Sequence, residues 1–467
     1  MRKLNFLKMY FFSHSELEIR KYEKLNYISR EKKILIQCVH EIEYFDFLYK
    51  NIKKGFISPV YGLYPLLTFF DSKDFIPFRY FVKKTHHYLI RLKWKKLYNI
   101  LVFTKIYSPD TNKYFKKIYF LFTALIIFLK IKKKEDLLNL TIDSVYCGDL
   151  IYDTYLRFNS KSTVNVKDPT LIFTIYSAIK SIYTHKLILK NNLIETYYTT
   201  HTTYITHGIP CRVFLLNKIN VVILYYFDPK KISLKQLSTN DTTQVKPYWA
   251  YRDIFSELQN KKKLIEKGVS ALYNRFLGNN DLTYMKENAF KFNNIKFQND
   301  LDGVVFLHDF FDSPHIYKKM VFVDFYEWLI FTIEIVLANN LKVGFKPHPN
   351  QISKSKVIID KVKFTYPEII WIDEKVSNKD IFDSNITFGI SVYGTVLSEL
   401  AFAGKVAICC GENPASTYSF INEAKTKKEY EELITNAKNL KQNKINYDEI
   451  GEYYYMNYLY SFNCILK

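Results

Sequence analysis

The chain has 467 residues, of which 48% are hydrophobic and 24% charged, and its formal net charge is +21 at pH 7. That length excludes a single hydrophobic core and predicts two domains of about 200 residues each, while the composition is that of an ordinary globular protein. The six cysteines show neither metal-ligand spacing nor an even disulfide framework, which fits a reducing cytoplasm.

The first segment, Met1 to Phe12, is basic, but Lys3 and Lys8 break its apolar run before it reaches the length of a secretory signal. Lys33 to Val39 predicts a strand and Ile42 to Lys53 the helix returning from it. Residues 51–134 hold 18 lysines and arginines against 3 acidic residues, a surplus of 15, together with aromatics such as Tyr80, Phe81, Trp94 and Tyr98. Within this stretch, residues 78–134 are expected to be helical. Basic and aromatic residues together suit an anionic membrane surface or another polyanion, with a solvated basic face as the alternative. Nucleic acid is not expected, since the stretch holds no recognisable binding motif. The longest apolar run, Ile118 to Leu129, is shorter than the roughly 20 residues of a membrane span, so it predicts a buried helix or one lying in the membrane interface.

Thr141 to Cys147 leads into Gly148-Asp149, where glycine permits close approach of the backbone to a ligand. Asp153, four residues on, shares the face of Asp149 if the segment is helical. Leu171 to Leu189 reads as an amphipathic helix, and Ile194 to Thr199, His201 to Leu216 and Val221 to Tyr226 as strand, helix and strand. The polar stretch Leu237 to Lys246 marks a boundary, and residues 247–298 read as charged linking helices. Gly303 to Leu307 opens a second series, with a helix over Phe325 to Ala338. Strands follow at Leu341 to Phe345, Ile369 to Ile372, Ile386 to Ile390 and Val406 to Cys410, before a helical tail from Lys427. Alternation of this kind predicts an α/β protein with two Rossmann-like domains facing a cleft: residues 1–246, a helical linker over 247–298, and residues 299–467.

Two segments of the second series carry the clearest chemistry. In Lys346-Pro347-His348-Pro349-Asn350 the prolines stop both strand and helix and hold His348 in a stiff turn where a strand ends. Ser391 follows the next strand near a helix start that favours an anion, and Thr395 and Glu399 continue at a spacing of four. A histidine donor, two hydroxyls and a carboxylate suit a nucleotide's phosphate and ribose. Taken singly, each has a plainer reading: a packed turn residue, an N-cap, an exposed helix glutamate. The loop after Gly303 to Leu307 crowds His308, Asp309, Asp312, Ser313 and His315 at the crevice end of a strand, a set that would in principle hold a divalent metal. Asp300-Leu301-Asp302 is the only Asp-x-Asp of the chain, and it precedes its strand, away from that crevice.

These segments resemble the His-Pro and Ser/Thr motifs of bacterial sialyltransferases and Kdo transferases that use CMP-sugars. The wider pattern resembles the capsule polysaccharide biosynthesis family of GT-B glycosyltransferases. It comprises Gly148-Asp149-Leu150-Ile151-Tyr152-Asp153 with Tyr155-Leu156-Arg157, Tyr204-Ile205-Thr206-His207-Gly208-Ile209-Pro210, and His308-Asp309-Phe310-Phe311-Asp312-Ser313-Pro314-His315. A weaker likeness runs to CDP-glycerol glycerophosphotransferases, and the resemblance covers about residues 140–420. It implies metal-independent, inverting transfer from a nucleotide sugar to a lipid-linked or membrane-proximal glycan, at the inner face of the cytoplasmic membrane. His348 would stabilise the leaving phosphate, with Lys346, Ser391 and Thr395 in support and Glu399 on the ribose. An acidic base in the first domain would be Asp149, with His207 as its competitor, while Asp153, His308, Asp309, Asp312, Ser313 and His315 would line the cleft. The alternatives are a CDP-alcohol phosphotransferase and a non-catalytic polyanion- or membrane-binding protein.

Overall fold

A computed structural model of the protein describes residues 33–37, 60–63, 105–107, 114–191, 193–228, 231–237, 247–279, 289–290, 295, 297, 300–317, 319–440 and 445–460. The expected signal-free start, the helix Ile42 to Lys53 and most of residues 51–113 lie outside them, as does nearly all of the polar boundary Leu237 to Lys246.

Two six-stranded sheets organise the chain. The first is built from β1 (Lys33–Gln37), β2 (Val60–Leu63), β3 (Lys105–Tyr107), β6 (Ile194–Thr199), β7 (Asn220–Asp228) and β8 (Lys231–Leu237), in the order β3-β2-β1-β6-β7-β8. Its strands pair in parallel except for the β7–β8 hairpin. The second holds β9 (Gly303–Phe306), β10 (Val343–Lys346), β11 (Ile370–Trp371), β12 (Phe388–Ile390), β13 (Val406–Cys409) and β14 (Ile421–Glu423). Their order is β11-β10-β9-β12-β13-β14, and every pairing is parallel. In both sheets the chain starts in the middle, winds to one edge, returns beside its first strand and winds to the other. That is the doubly wound order of Rossmann-type folds, and it places a topological switch beside β1 and beside β9. A two-stranded antiparallel ribbon, β4 (Thr141–Ile142) and β5 (Val145–Tyr146), stands apart.

The helices used below are α1 (Tyr114–Lys130), α2 (Gly148–Asn159), α3 (Thr170–Asn191), α4 (Ile209–Leu216), α5 (Lys261–Phe276), α6 (Phe325–Ala338), α7 (Ser353–Thr365), α8 (Thr395–Phe402) and α9 (Tyr447–Tyr454). The expected helix over 78–134 is thus interrupted by β3, and of that range only α1 and a short turn from Lys134 are described as helical. The four inner strands of the second sheet, β9, β10, β12 and β13, are buried on both faces, as parallel strands are. Val305, Val343, Phe345 and Ile390 join the core under α6 and α7. Val304, Phe306, Ala407 and Cys409 join the opposite core with Leu397 and Leu400 of α8. Residues 247–276, expected as a linker, pack onto this second half. Tyr248, Tyr251 and Leu272 share a core with Ile450, Tyr453 and Tyr454 of α9, and Arg275 of α5 is buried against α8.

Candidate active site

The second sheet brings three loops to one end. Because β9 lies between β10 and β12, the residues after their C-terminal ends (His308, His348 and Ser391) come out side by side at the switch point. His348 is half-buried in its proline-framed turn, and its Nδ1 accepts the Asn350 amide at 3.1 Å. That bond leaves the proton of the neutral ring on Nε2, so His348 presents a donor. Burial lowers its pKa; Asp309 and Asp312 oppose that shift and Lys346 adds to it.

His308 stacks on Phe325, with ring centroids 4.5 Å apart, and lies 4.8 Å from the ring of Tyr393. Burial, and then the nearby His348, push its pKa down to about 3, so it too is neutral. Its Nε2 is 3.2 Å from Ser391 Oγ, which also reaches the carbonyls of Phe306 at 3.0 Å and Tyr393 at 3.2 Å. The hydroxyl expected to donate to a phosphate is therefore engaged within the protein, tying the ends of β9 and β12 together. The uncapped backbone at this end belongs to the start of α8. No side chain caps it, and the residue before Thr395 is Gly394 with φ +119°, a conformation that favours glycine. Thr395 is half-buried at that start.

Glu399 departs from expectation. It is buried, and Arg275 Nε donates to its Oε1 at 2.8 Å, so the carboxylate points into an interior ion pair and not towards a ribose. Lys346 is likewise buried, and loss of hydration pulls its pKa to about 8 against the opposing pull of Glu399, Asp373 and Glu374. Asp309 is structural: it accepts from the amides of Phe311 and Ile352 and from Ser355 Oγ, holding the start of α7 beside the His348 turn. Asp312 is exposed, and Ser313, buried, offers its carbonyl to Tyr393 OH at 3.1 Å.

Helix α2 carries the first half to this crevice. Gly148 does not face a ligand: a Cβ there would lie 2.1 Å from the Leu137 carbonyl oxygen, so the glycine serves packing. Asp149 is 4% exposed, and both its oxygens accept from the guanidinium of Arg212 at 2.6 Å. A carboxylate held in that fork lacks the freedom of a base, so Asp149, expected from the sequence as the base, is a structural anchor of α4. One turn on, Tyr152 OH donates to Asp324 at 2.5 Å, and Asp153 Oδ1 lies 2.6 Å from His315 Nδ1. Arg157 reaches the Phe311 carbonyl at 3.2 Å. Among the described residues His315 Nε2 is buried without a hydrogen-bond partner. Burial opposes charge on this ring, but Asp153 outweighs it and raises the pKa. His207, half-buried in the turn Tyr204–Gly208, has its Nδ1 3.5 Å from Thr199 Oγ1 and its ring 5.2 Å from that of His201.

Sequence reasoning missed Arg212, Arg275, Asp324 and Tyr393. Tyr393 had a signal, since it stands between Ser391 and Thr395 in a strand-to-helix turn; the other three are partners that only packing selects. Among the described residues no three His, Cys, Asp or Glu side chains converge as a metal site. Asp300 and Asp302 lie before β9, at the opposite end of the sheet, paired with Lys342 and Lys438.

No family model matches the chain, and no curated protein matches it. Several solved structures show a weak likeness. The beta Kdo 2,4 transferase of Thermosulfurimonas dismutans KpsC is 11% identical over 56% of this chain and 79% of its own, with a TM-score of 0.36. UDP-GlcNAc 2-epimerase of Methanocaldococcus jannaschii, in complex with UDP-GlcNAc and UDP, is 13% identical over 90% and 97%, with a TM-score of 0.27. Acinetobacter baumannii MurG is 9% identical over 91% and 94%, with a TM-score of 0.25. Scores of this size carry no assignment of activity, and the fold stands on the strand order of the two sheets.

Proposed function

We propose that the protein is an inverting glycosyltransferase that moves a sugar from a nucleotide-activated donor, a CMP-sugar in first place, to a lipid-linked or membrane-proximal glycan of a capsule or other surface polysaccharide. The observation that carries this reading is the convergence of the His348 donor, the uncapped start of α8 and the buried Lys346 at the switch point of the second sheet. This is the place where doubly wound folds bind ligands. The preference for a CMP-sugar rests on the likeness of the His348 and Ser391 segments to those of the Kdo and sialyl transferases.

In this reading the donor's phosphate lies over the start of α8, and His348 Nε2–H donates to the oxygen that leaves. An acceptor hydroxyl attacks the anomeric carbon, the bond from that carbon to the phosphate oxygen breaks, and the hydroxyl proton passes to the protein. We assign that proton to His315 Nε2. Asp153 holds the other ring nitrogen, and an unpartnered buried nitrogen costs free energy that a substrate hydroxyl would offset. The first-half carboxylate thereby enters the chemistry through a histidine of the second half.

A thermal-shift panel of CMP, CDP, UDP and GDP tests the donor site, since a ligand at a hundredfold excess over its Kd adds about 2.7 kcal/mol. CMP is expected to raise the melting temperature most. His348→Ala is expected to fold and to lose transfer by about 100- to 1,000-fold. A panel in which no nucleotide shifts the melting temperature would sink the reading, and transfer from a CDP-alcohol but no CMP-sugar would replace it with phosphotransfer.

A further inference from the structure

Helix α1 has two apolar faces where a globular surface helix needs one. Phe120 and Ala124 are buried on the side packed against α3, with Phe120 in ring contact with Tyr176 and Tyr183. The opposite side carries Ile118, Tyr119, Phe122, Leu125, Ile126 and Leu129, exposed by 50, 65, 61, 38, 40 and 59%. Residues 118, 122, 125 and 129 follow helical spacing and form one continuous stripe, flanked by 119 and 126. The helix holds no acidic side chain. Exposed lysines stand at both ends of the stripe: Lys116 before it, and Lys130, Lys132 and Lys133 after it.

These features select a covering partner. An apolar strip bounded by cations matches the layered chemistry of an anionic bilayer, with hydrocarbon beneath and phosphates at the level where lysine side chains reach outward. From Lys116 to Lys130 the helix is about 21 Å long at 1.5 Å per residue, against a hydrocarbon core of about 30 Å. Among the described residues no helix is long and apolar enough to cross a membrane. The helix therefore fits a bilayer lengthwise, lying in its surface.

We propose that α1 is an in-plane anchor that docks the N-terminal half on an anionic lipid surface. The inference is independent of the assigned chemistry, because its test uses neither donor nor acceptor. The full chain is floated with vesicles of phosphatidylcholine containing 30% phosphatidylglycerol, and with pure phosphatidylcholine, at low and high salt. Binding is expected on the anionic vesicles, falling at high salt and weaker by at least tenfold on the neutral ones. Phe122→Gln with Leu125→Gln and Leu129→Gln is expected to lower anionic binding by more than tenfold while the melting temperature holds. Should that variant fail to fold, Phe122→Trp serves instead: its emission is expected to shift to the blue on anionic vesicles. A wild-type chain that ignores anionic vesicles, a triple variant that folds and binds undiminished, or a tryptophan whose emission does not move would overturn the proposal. So would a triple variant whose only effect is to turn a dimer into a monomer, which would make the face a contact between copies.

Discussion

At the scale of single residues, the site is decided by what each ionisable group touches. Asp149 and Glu399 were both legible as acidic residues beside a strand-to-helix turn, yet each is closed off by an arginine distant in sequence, Arg212 and Arg275. Asp149→Asn is therefore expected to cost about 3–5 kcal/mol in denaturant unfolding, because Arg212 would stay buried without its counter-charge. A variant that keeps full stability and loses only transfer would restore Asp149 to the chemistry. The four-residue spacing of Ser391, Thr395 and Glu399 misled in a related way. Helix α8 begins at Thr395 after Gly394, so Ser391 precedes the helix and shares no face with it.

At the scale of elements, apolar runs of four or five residues marked the inner strands of the second sheet well, since both their faces are buried and no alternation is needed. The edge strands β8 and β14 escaped, as did β2 and β3 of the basic region. Strand β8 is an antiparallel hairpin arm that breaks the expected rhythm, and β14 has three residues. Packing between helices depends on a buried polar cluster that periodicity does not reveal. Trp328 of α6 donates its indole N–H to Tyr430 OH at 2.6 Å, and Thr332 Oγ1 lies 2.9 Å from the same oxygen, joining α6 to the helix Lys427–Thr435. Tyr430→Phe removes one oxygen and leaves the indole N–H unsatisfied. A loss of about 1–3 kcal/mol is expected, measured by urea unfolding. No loss would mean that the cluster contributes nothing net.

At the scale of the whole molecule, the two halves meet where α2 packs against the loop between β9 and α6. The contacts are polar: Asp153 with His315, Tyr152 and Thr163 with Asp324, and Arg157 with the Phe311 carbonyl. Since Asp153 raises the His315 pKa above 6.5, the folded state binds that proton more tightly than the unfolded chain. The stability that proton adds is lost as pH rises through the folded value, while on the acid side burial, which raises the Asp153 pKa to about 6, weakens the pair as that carboxylate takes up a proton. The gap in melting temperature between the wild type and His315→Gln is accordingly expected to narrow between pH 6 and pH 9 in calorimetry. A gap that stays constant would show that the pair acts by packing and not by charge.

The sequence by itself determined the class of fold, the strand ends at which His308, His348 and Ser391 stand, and the stiff turn that holds His348. Those properties are local, set by apolar runs, prolines and helix starts within a few residues. Only the tertiary structure decided which acids stay available. The partners of Asp149, Glu399 and Asp153 lie 63, 124 and 162 residues away along the chain. No local pattern encodes such pairings, because they arise when two doubly wound sheets and their helices bury the same charges together.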